Sequence, residues 1–156
     1  TLFMALPKSD KMEFVMQKSV ELGVRKIVPF LSKNCVSRPD KTDKKVERWR
    51  KIAVEAAKQC GRGYLPEVTA VMNADEAFRL FFYEHETRGL RDTLENRGVS
   101  DTVSLVIGPE GGFAPEEVQK ARDAGLVSVS LGTRILRCET APVAALAAVL
   151  YAGGNM

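Results

Sequence analysis

Short apolar runs alternate with stretches of helical periodicity along the whole chain. Residues 1–6 (TLFMAL), 24–31 (VRKIVPFL), 80–83 (LFFY), 103–107 (VSLVI) and 127–131 (VSVSL) predict strands. They are short, rich in Val, Ile, Leu and Phe, and bounded by turn residues or charges. Residues 65–71 add a brief extended run, and Pro29 predicts an edge or a bend in the second strand. Met12, Val15, Met16, Ser19, Val20 and Leu22 recur at helical spacing, with Asp10 and Glu13 as a capping box and Gly23 as the stop. The longest helix is predicted over 43–61. Val46, Trp49, Ile52, Ala53, Ala56, Ala57 and Cys60 mark one face, and Lys44, Lys45, Arg48, Lys51 and Lys58 lie mostly off it. Asn73 and Glu76 predict a brief helix over 75–79, and Leu90 and Leu94 one that closes at Gly98. An alanine-rich helix is predicted over 140–151. The alternation predicts an α/β sandwich, a largely parallel sheet flanked by helices.

The candidate chemistry is concentrated in residues 105–147. Two predicted strands end there in glycine-bearing sequence, Gly108-Pro109-Glu110-Gly111-Gly112 and Gly132-Thr133-Arg134. Ligands of open parallel sheets collect at the carboxyl ends of strands. Two glycine loops leaving neighbouring strand ends would wall a cleft with backbone, whose free N–H and C=O groups can bond a purine edge. The same pattern is also ordinary α/β punctuation. A phosphate loop and a dinucleotide-binding fingerprint are both absent, and Glu110 argues against a phosphate cradle.

Composition narrows the classes. A length of 156 residues fits one domain. The net charge of +3, from 23 basic and 20 acidic residues, does not announce a nucleic-acid protein by itself. Cys35, Cys60 and Cys138 are widely spaced and there is one histidine, His85, so no metal site is expected and the cysteines read as reduced and cytoplasmic. No apolar run approaches the roughly 20 residues of a membrane span, and no signal peptide pattern is present. The chain opens on Thr1, which reads as a fragment or a processed form.

The sequence IGPEGGF, followed about twenty residues later by SLGTRILRCETA, resembles the paired motifs of the RsmE family. Asp10-Lys11-Met12-Glu13, Gln17-Lys18, Glu21-Leu22-Gly23-Val24, Glu47-Arg48-Trp49 and residues 55–62 (EAAKQCGR) also resemble that family, in its order. The resemblance covers nearly the whole chain. It implies a SPOUT-class methyltransferase that uses S-adenosylmethionine on uridine N3 of small-subunit (16S) ribosomal RNA. It also implies a homodimer, and a C-terminal trefoil knot formed by the chain from about residue 127. The family carries an N-terminal PUA-like RNA-binding domain, and on this resemblance the 156 residues are expected to hold the methyltransferase domain without it. Ala114 stands at an N-cap where the family often has serine, and Pro142 sits early in the last helix, where proline is tolerated.

The resemblance also distributes roles. Leu105, Ile107, Gly108, Pro109, Glu110, Gly111, Leu131, Gly132, Ile135 and Leu136 are the expected cofactor contacts, the apolar ones walling the adenine. Arg137 is the expected positive group beside the uracil carbonyls. Glu139 is either a base or a cap of the last helix. Arg38, Arg62 and Arg134 are the expected RNA contacts, with Asn34 near the substrate side. The competing readings are a non-enzymatic nucleotide- or RNA-binding α/β module and a SPOUT methyltransferase for a different RNA. The two intact loops favour the enzyme. A flavodoxin-like or hydrolase domain is disfavoured because the phosphate loop and the Gly-x-Ser-x-Gly elbow are missing.

Overall fold

The structure, a computed structural model, describes residues 1–36, 38, 42–73, 80–82, 89–97 and 102–156. In chain order the elements are β1 (Leu2–Ala5), α1 (Lys11–Glu21), β2 (Lys26–Leu31), α2 (Thr42–Gln59), β3 (Glu67–Val68) and β4 (Met72–Asn73). They continue with β5 (Leu80–Phe82), α3 (Leu90–Arg97), β6 (Leu105–Ile107), α4 (Pro115–Asp123), β7 (Val127–Val129) and α5 (Thr140–Ala152). Among the described residues the strands form one sheet in the order β3-β2-β1-β6-β5-β7, with β4 also paired to β2. Every pairing is parallel. The strands of a parallel sheet are covered on both faces, and all three residues of β6 and of β7 are buried accordingly. The expected helix over 75–79, Tyr83, His85 and the stop at Gly98 lie outside the described residues.

Two local expectations are corrected. Pro29 does not mark an edge, since β2 pairs with β1 on one side and with β3 and β4 on the other. The Phe30 carbonyl accepts from Leu6 on the β1 side, and the Ile27 carbonyl accepts from Thr69 on the β3 side. Backbone groups alternate between neighbours along a strand, so Pro29 shares Ile27's side. It falls there between the β3 pairing, which ends at Ile27, and the β4 pairing, which begins at Phe30. The missing N–H is therefore placed where the flanking strand is already interrupted.

Asp10 is the N-cap residue of α1, but its side chain makes no cap hydrogen bond. Glu13 is instead ion-paired to Arg48 of α2 at 2.7 Å, so a tertiary partner replaces the local one. The other end of α1 closes as the sequence predicts. Gly23 adopts φ +88° and the Val24 N–H reaches back to the Ser19 carbonyl at 3.0 Å.

Candidate functional site

β6 and β7 are not neighbours: β5 lies between them. The expectation of glycine loops on adjoining strand ends is corrected accordingly. Phe82 is level with Ile107 on one side and with Val129 on the other, so all three strands stop at the same height. Two strand spacings separate β6 from β7, about 9–10 Å. The sequence after each rises past the end of β5 and encloses a cleft of about 590 Å³. One wall is 107–112 and the other is 129–138, with Lys11 and Ala141 completing the lining.

The first wall is held from outside the cleft. The Gly112 N–H donates to the Pro109 carbonyl at 2.9 Å, closing a turn over Glu110 and Gly111. A Cβ added to Gly108 would sit 2.9 Å from the Phe113 ring, and one added to Gly111 would sit 3.1 Å from the Asn34 carbonyl oxygen. Both glycines thus stand where the protein's own packing leaves little room for a side chain. A side chain at Gly111 would meet the segment after β2. Asn34 donates its side-chain N–H to the Gly111 carbonyl at 3.0 Å.

Just beyond, the N-cap of α4 is Ala114, which offers no capping oxygen. Glu117 compensates in part by accepting the Ala114 N–H at 2.9 Å. The same carboxylate accepts Ser32 Oγ at 3.1 Å and the Lys33 N–H at 2.9 Å. Lys33 also pairs with Glu116. The segment after β2 is in this way fastened to the first wall.

The second wall is apolar and open. Leu131 and Leu136 are half-buried and line the cleft, and Ile135 is 83% exposed there. Gly132 adopts φ +113°, with nothing within 4 Å of an added Cβ, so its backbone faces free space. Arg134 and Arg137 line the cleft and are exposed, and among the described residues neither side chain has a hydrogen-bond or ion-pair partner.

Lys11 joins the two walls at their base. Its Nζ lies 3.0 Å from Glu110 Oε1, 3.1 Å from Glu139 Oε2 and 3.8 Å from Cys138 Sγ. The hydrogen bonds of Glu110, then those of Glu139, hold the Lys11 ammonium well above the usual lysine range. Burial opposes ionisation of Glu110, but Lys11, the backbone N–H groups of Glu110 and Lys8, and the Cys138 thiol outweigh it and depress the carboxyl. Glu139 is depressed likewise: burial opposes ionisation, and its own N–H, Cys138 and Lys11 overcome it. The Cys138 thiol is pushed up to about 12, first by burial and then by the two carboxylates, so it is protonated at neutral pH and a weak nucleophile.

The structure brings Ile107, Gly108, Pro109, Glu110, Gly111, Leu131, Gly132, Ile135 and Leu136 onto one cleft, with Arg134 and Arg137 at it. Leu105 is not there. It opens β6, pairs with Leu2 and is buried in the core, two residues below the cleft floor. Glu139 is the N-cap residue of α5 but makes no side-chain cap bond, because Lys11 and Cys138 take its carboxylate.

Arg62 is used inside the fold. It donates to the carbonyls of Val20 at 2.8 Å, Val24 at 2.9 Å and Gly23 at 3.2 Å, neutralising the carboxyl end of α1. Arg38 is exposed and donates to the Lys33 carbonyl at 3.1 Å. The lining residues not named among the expected contacts include Lys11, Gly112, Val129, Ser130, Cys138 and Ala141. Lys11 carried a signal, its place in the Asp10-Lys11-Met12-Glu13 motif.

Comparison with known proteins identifies relatives of this chain. The ribosomal RNA small subunit methyltransferase E of Bacillus subtilis is 37% identical over an alignment taking in 94% of this chain and 63% of its own length. The crystal structure of a ribosomal RNA small subunit methyltransferase E from Neisseria gonorrhoeae, bound to S-adenosyl methionine, superposes with a TM-score of 0.88 at 38% identity, over 96% of this chain and 64% of that one. The SpoU methyltransferase AviRb from Streptomyces viridochromogenes, at 12% identity and a TM-score of 0.56 over 96% of this chain and 58% of that one, shares the fold alone. These figures bear out the resemblance carried by the two loop motifs. The chain spans somewhat less than two thirds of the length of these relatives. The profile of the RNA methyltransferase domain matches residues 1–150, and the chain belongs to that family.

Proposed function

We propose that this chain binds S-adenosylmethionine in the cleft between the two glycine-bearing walls and transfers its methyl group to N3 of a uridine in small-subunit (16S) ribosomal RNA. The observation that carries the reading is the convergence of both walls on one cleft at the carboxyl edge of a parallel sheet. The residues fit the donor. Ile107, Val129, Leu131, Leu136 and Ala141 offer apolar area for a purine, and the open backbone at Gly132 admits a close approach. When bound, the donor supplies an activated methyl group on a sulfonium, so displacement needs positioning above all.

The chain's own residues supply the rest. Uridine N3 carries a proton near neutral pH and must lose it. Arg137 is the group placed to favour the N3 anion, because it is exposed at the cleft with its donors uncommitted among the described residues. Glu139 suits a base less well, since its depressed carboxyl holds a proton weakly and is already paired with Lys11. Arg134, exposed at the cleft, and Arg38, exposed on the segment after β2, suit contact with phosphate. Arg62 leaves that set.

The same reading includes a chain threaded as a trefoil knot from about residue 127, a homodimer and a cytoplasmic setting. No helix among the described residues is long and apolar enough to cross a membrane. α5 carries no charged residue, yet Tyr151 is 78% exposed beside a groove of about 790 Å³ lined by Leu90, Leu94, Ala144 and Ala148. A helix that is apolar all round calls for a cover, which supports the dimer. A sedimentation measurement that found only monomer would remove it.

The decisive test gives the full-length protein undermethylated small subunits and labelled donor, then maps the methylated base. Arg137→Ala is expected to abolish transfer while leaving donor affinity, read by titration calorimetry, within about twofold. Transfer near the parental rate would refute the role of Arg137. No binding of donor by the parent protein would refute the site.

A further inference from the structure

Lys11 opens α1, just after β1, and β1 is the neighbour of β6 in the sheet. Its ammonium lies at hydrogen-bond distance from Glu110 of the first wall, at 3.0 Å, and from Glu139, the residue that directly follows the second wall, at 3.1 Å. The strands that carry those walls are kept apart by β5. Among the described residues no backbone hydrogen bond runs directly from one wall to the other. Glu110 is fixed a second time from the same side, by the Lys8 N–H at 3.1 Å. About three-quarters of each of the three side chains is shielded from solvent.

We propose that Lys11 is a positioning residue of the methyl-donor pocket: its ammonium bridges Glu110 and Glu139 and thereby sets the separation of the two walls. The proposal rests on the reading of this cleft as the donor site. The physical reason is the pair of like charges. With the ammonium in place, each carboxylate has an opposite charge at contact. Without it, only the neutral Cys138 thiol remains between the two carboxylates, which repel, and the wall after β6 moves away from the segment after β7. Lys11 does not touch the reacting atoms in this account, and its effect on the donor passes through the two glutamates. Arginine keeps the charge but presents a planar fork in place of a single point, so it restores the bridge only in part.

The test is titration of S-adenosylmethionine into the parent chain and into Lys11→Met, Lys11→Arg and Lys11→Met/Glu139→Gln, with the melting temperature of each unliganded protein. Lys11→Met keeps the apolar stem and is expected to weaken donor binding on the order of tenfold. Lys11→Arg is expected to fall between Lys11→Met and the parent. The double variant removes the repulsion, and is expected to bind more tightly than Lys11→Met alone. A merely structural lysine would lower the melting temperature while leaving donor affinity indifferent to the charge at residue 139. Donor binding by Lys11→Met within twofold of the parent overturns the proposal. So does a double variant no better than the single one. A parent that takes up no donor overturns the reading of the cleft, and the proposal with it.

Discussion

Gly108→Ala isolates one packing constraint of the first wall. Gly108 lies outside the left-handed region, so alanine meets no backbone penalty there. The whole cost is steric. The new methyl carbon would stand 2.9 Å from Cε2 and 3.1 Å from Cδ2 of Phe113. Unbonded carbons rest at about 3.5–4.0 Å, so the ring must retreat by roughly 0.5–1 Å. It has little room. Phe113 is 6% exposed and its ring stacks on Phe30 at a centroid distance of 6.4 Å, and Phe30 is 1% exposed on β2. Overpacking of this kind costs about 1–3 kcal/mol. For a domain of this length that is a fall in melting temperature of about 2–12 °C. Thermal and urea denaturation read it directly, with an unchanged urea m-value showing that the denatured state is the same. Phe113→Leu removes the obstacle, so Gly108→Ala is expected to cost less in that background than in the parent. Equal costs in the two backgrounds, or a melting temperature unchanged to about 1 °C, would refute the contact and with it the account of why glycine stands at 108.

Other residues make separate tests. Glu117→Ala removes the acceptor of three donors and is expected to destabilise by about 1–3 kcal/mol, with faster hydrogen exchange at the Lys33 and Ala114 amides; unchanged exchange there would count against the fastening. Arg62→Ala is expected to cost about 1–3 kcal/mol by denaturation, with RNA affinity unchanged in the folded protein; an RNA defect without a stability loss would return Arg62 to the RNA surface. Glu110 and Glu139 both titrate below the ordinary value of 4.5, so the stability they contribute is present above 4.5 and lost as pH falls through the lower folded values. An acid limb of the same size in Glu110→Gln/Glu139→Gln would show that other carboxyls cause it. The Cys138 thiol, raised to about 12, is expected to alkylate slowly at neutral pH; labelling faster than that of Cys60 would contradict its protonated state.

Local pattern determined a good deal. The apolar runs at β1, β6 and β7, the helical stripe and glycine stop of α1, and the long helix at α2 are where periodicity and turn residues place them. The two glycine segments named the cleft. Each of these follows from the conformational needs of residues a few positions apart. What local pattern could not carry was which partners, 35 to 128 residues away, would claim a side chain. Asp10 and Glu13 have the spacing of a capping box, but Glu13 pairs with Arg48 on another helix. Glu139 has the position of a cap, but its carboxylate goes to Lys11, 128 residues earlier in the chain. Leu105 and Ile107 differ by two positions in one apolar run, and only the height at which the strand stops puts one in the core and the other at the cleft.

Strand order had the largest effect. Nothing in the run at 80–82 says that it enters between β6 and β7, because parallel neighbours are chosen by crossover packing across the whole sheet. That insertion sets the width of the cleft. It leaves the two walls without a direct backbone bond among the described residues. The sequence could name the glycines and the charges of this site, since those follow from residue type. How far apart they stand, and which cation holds them, was decided by the sheet.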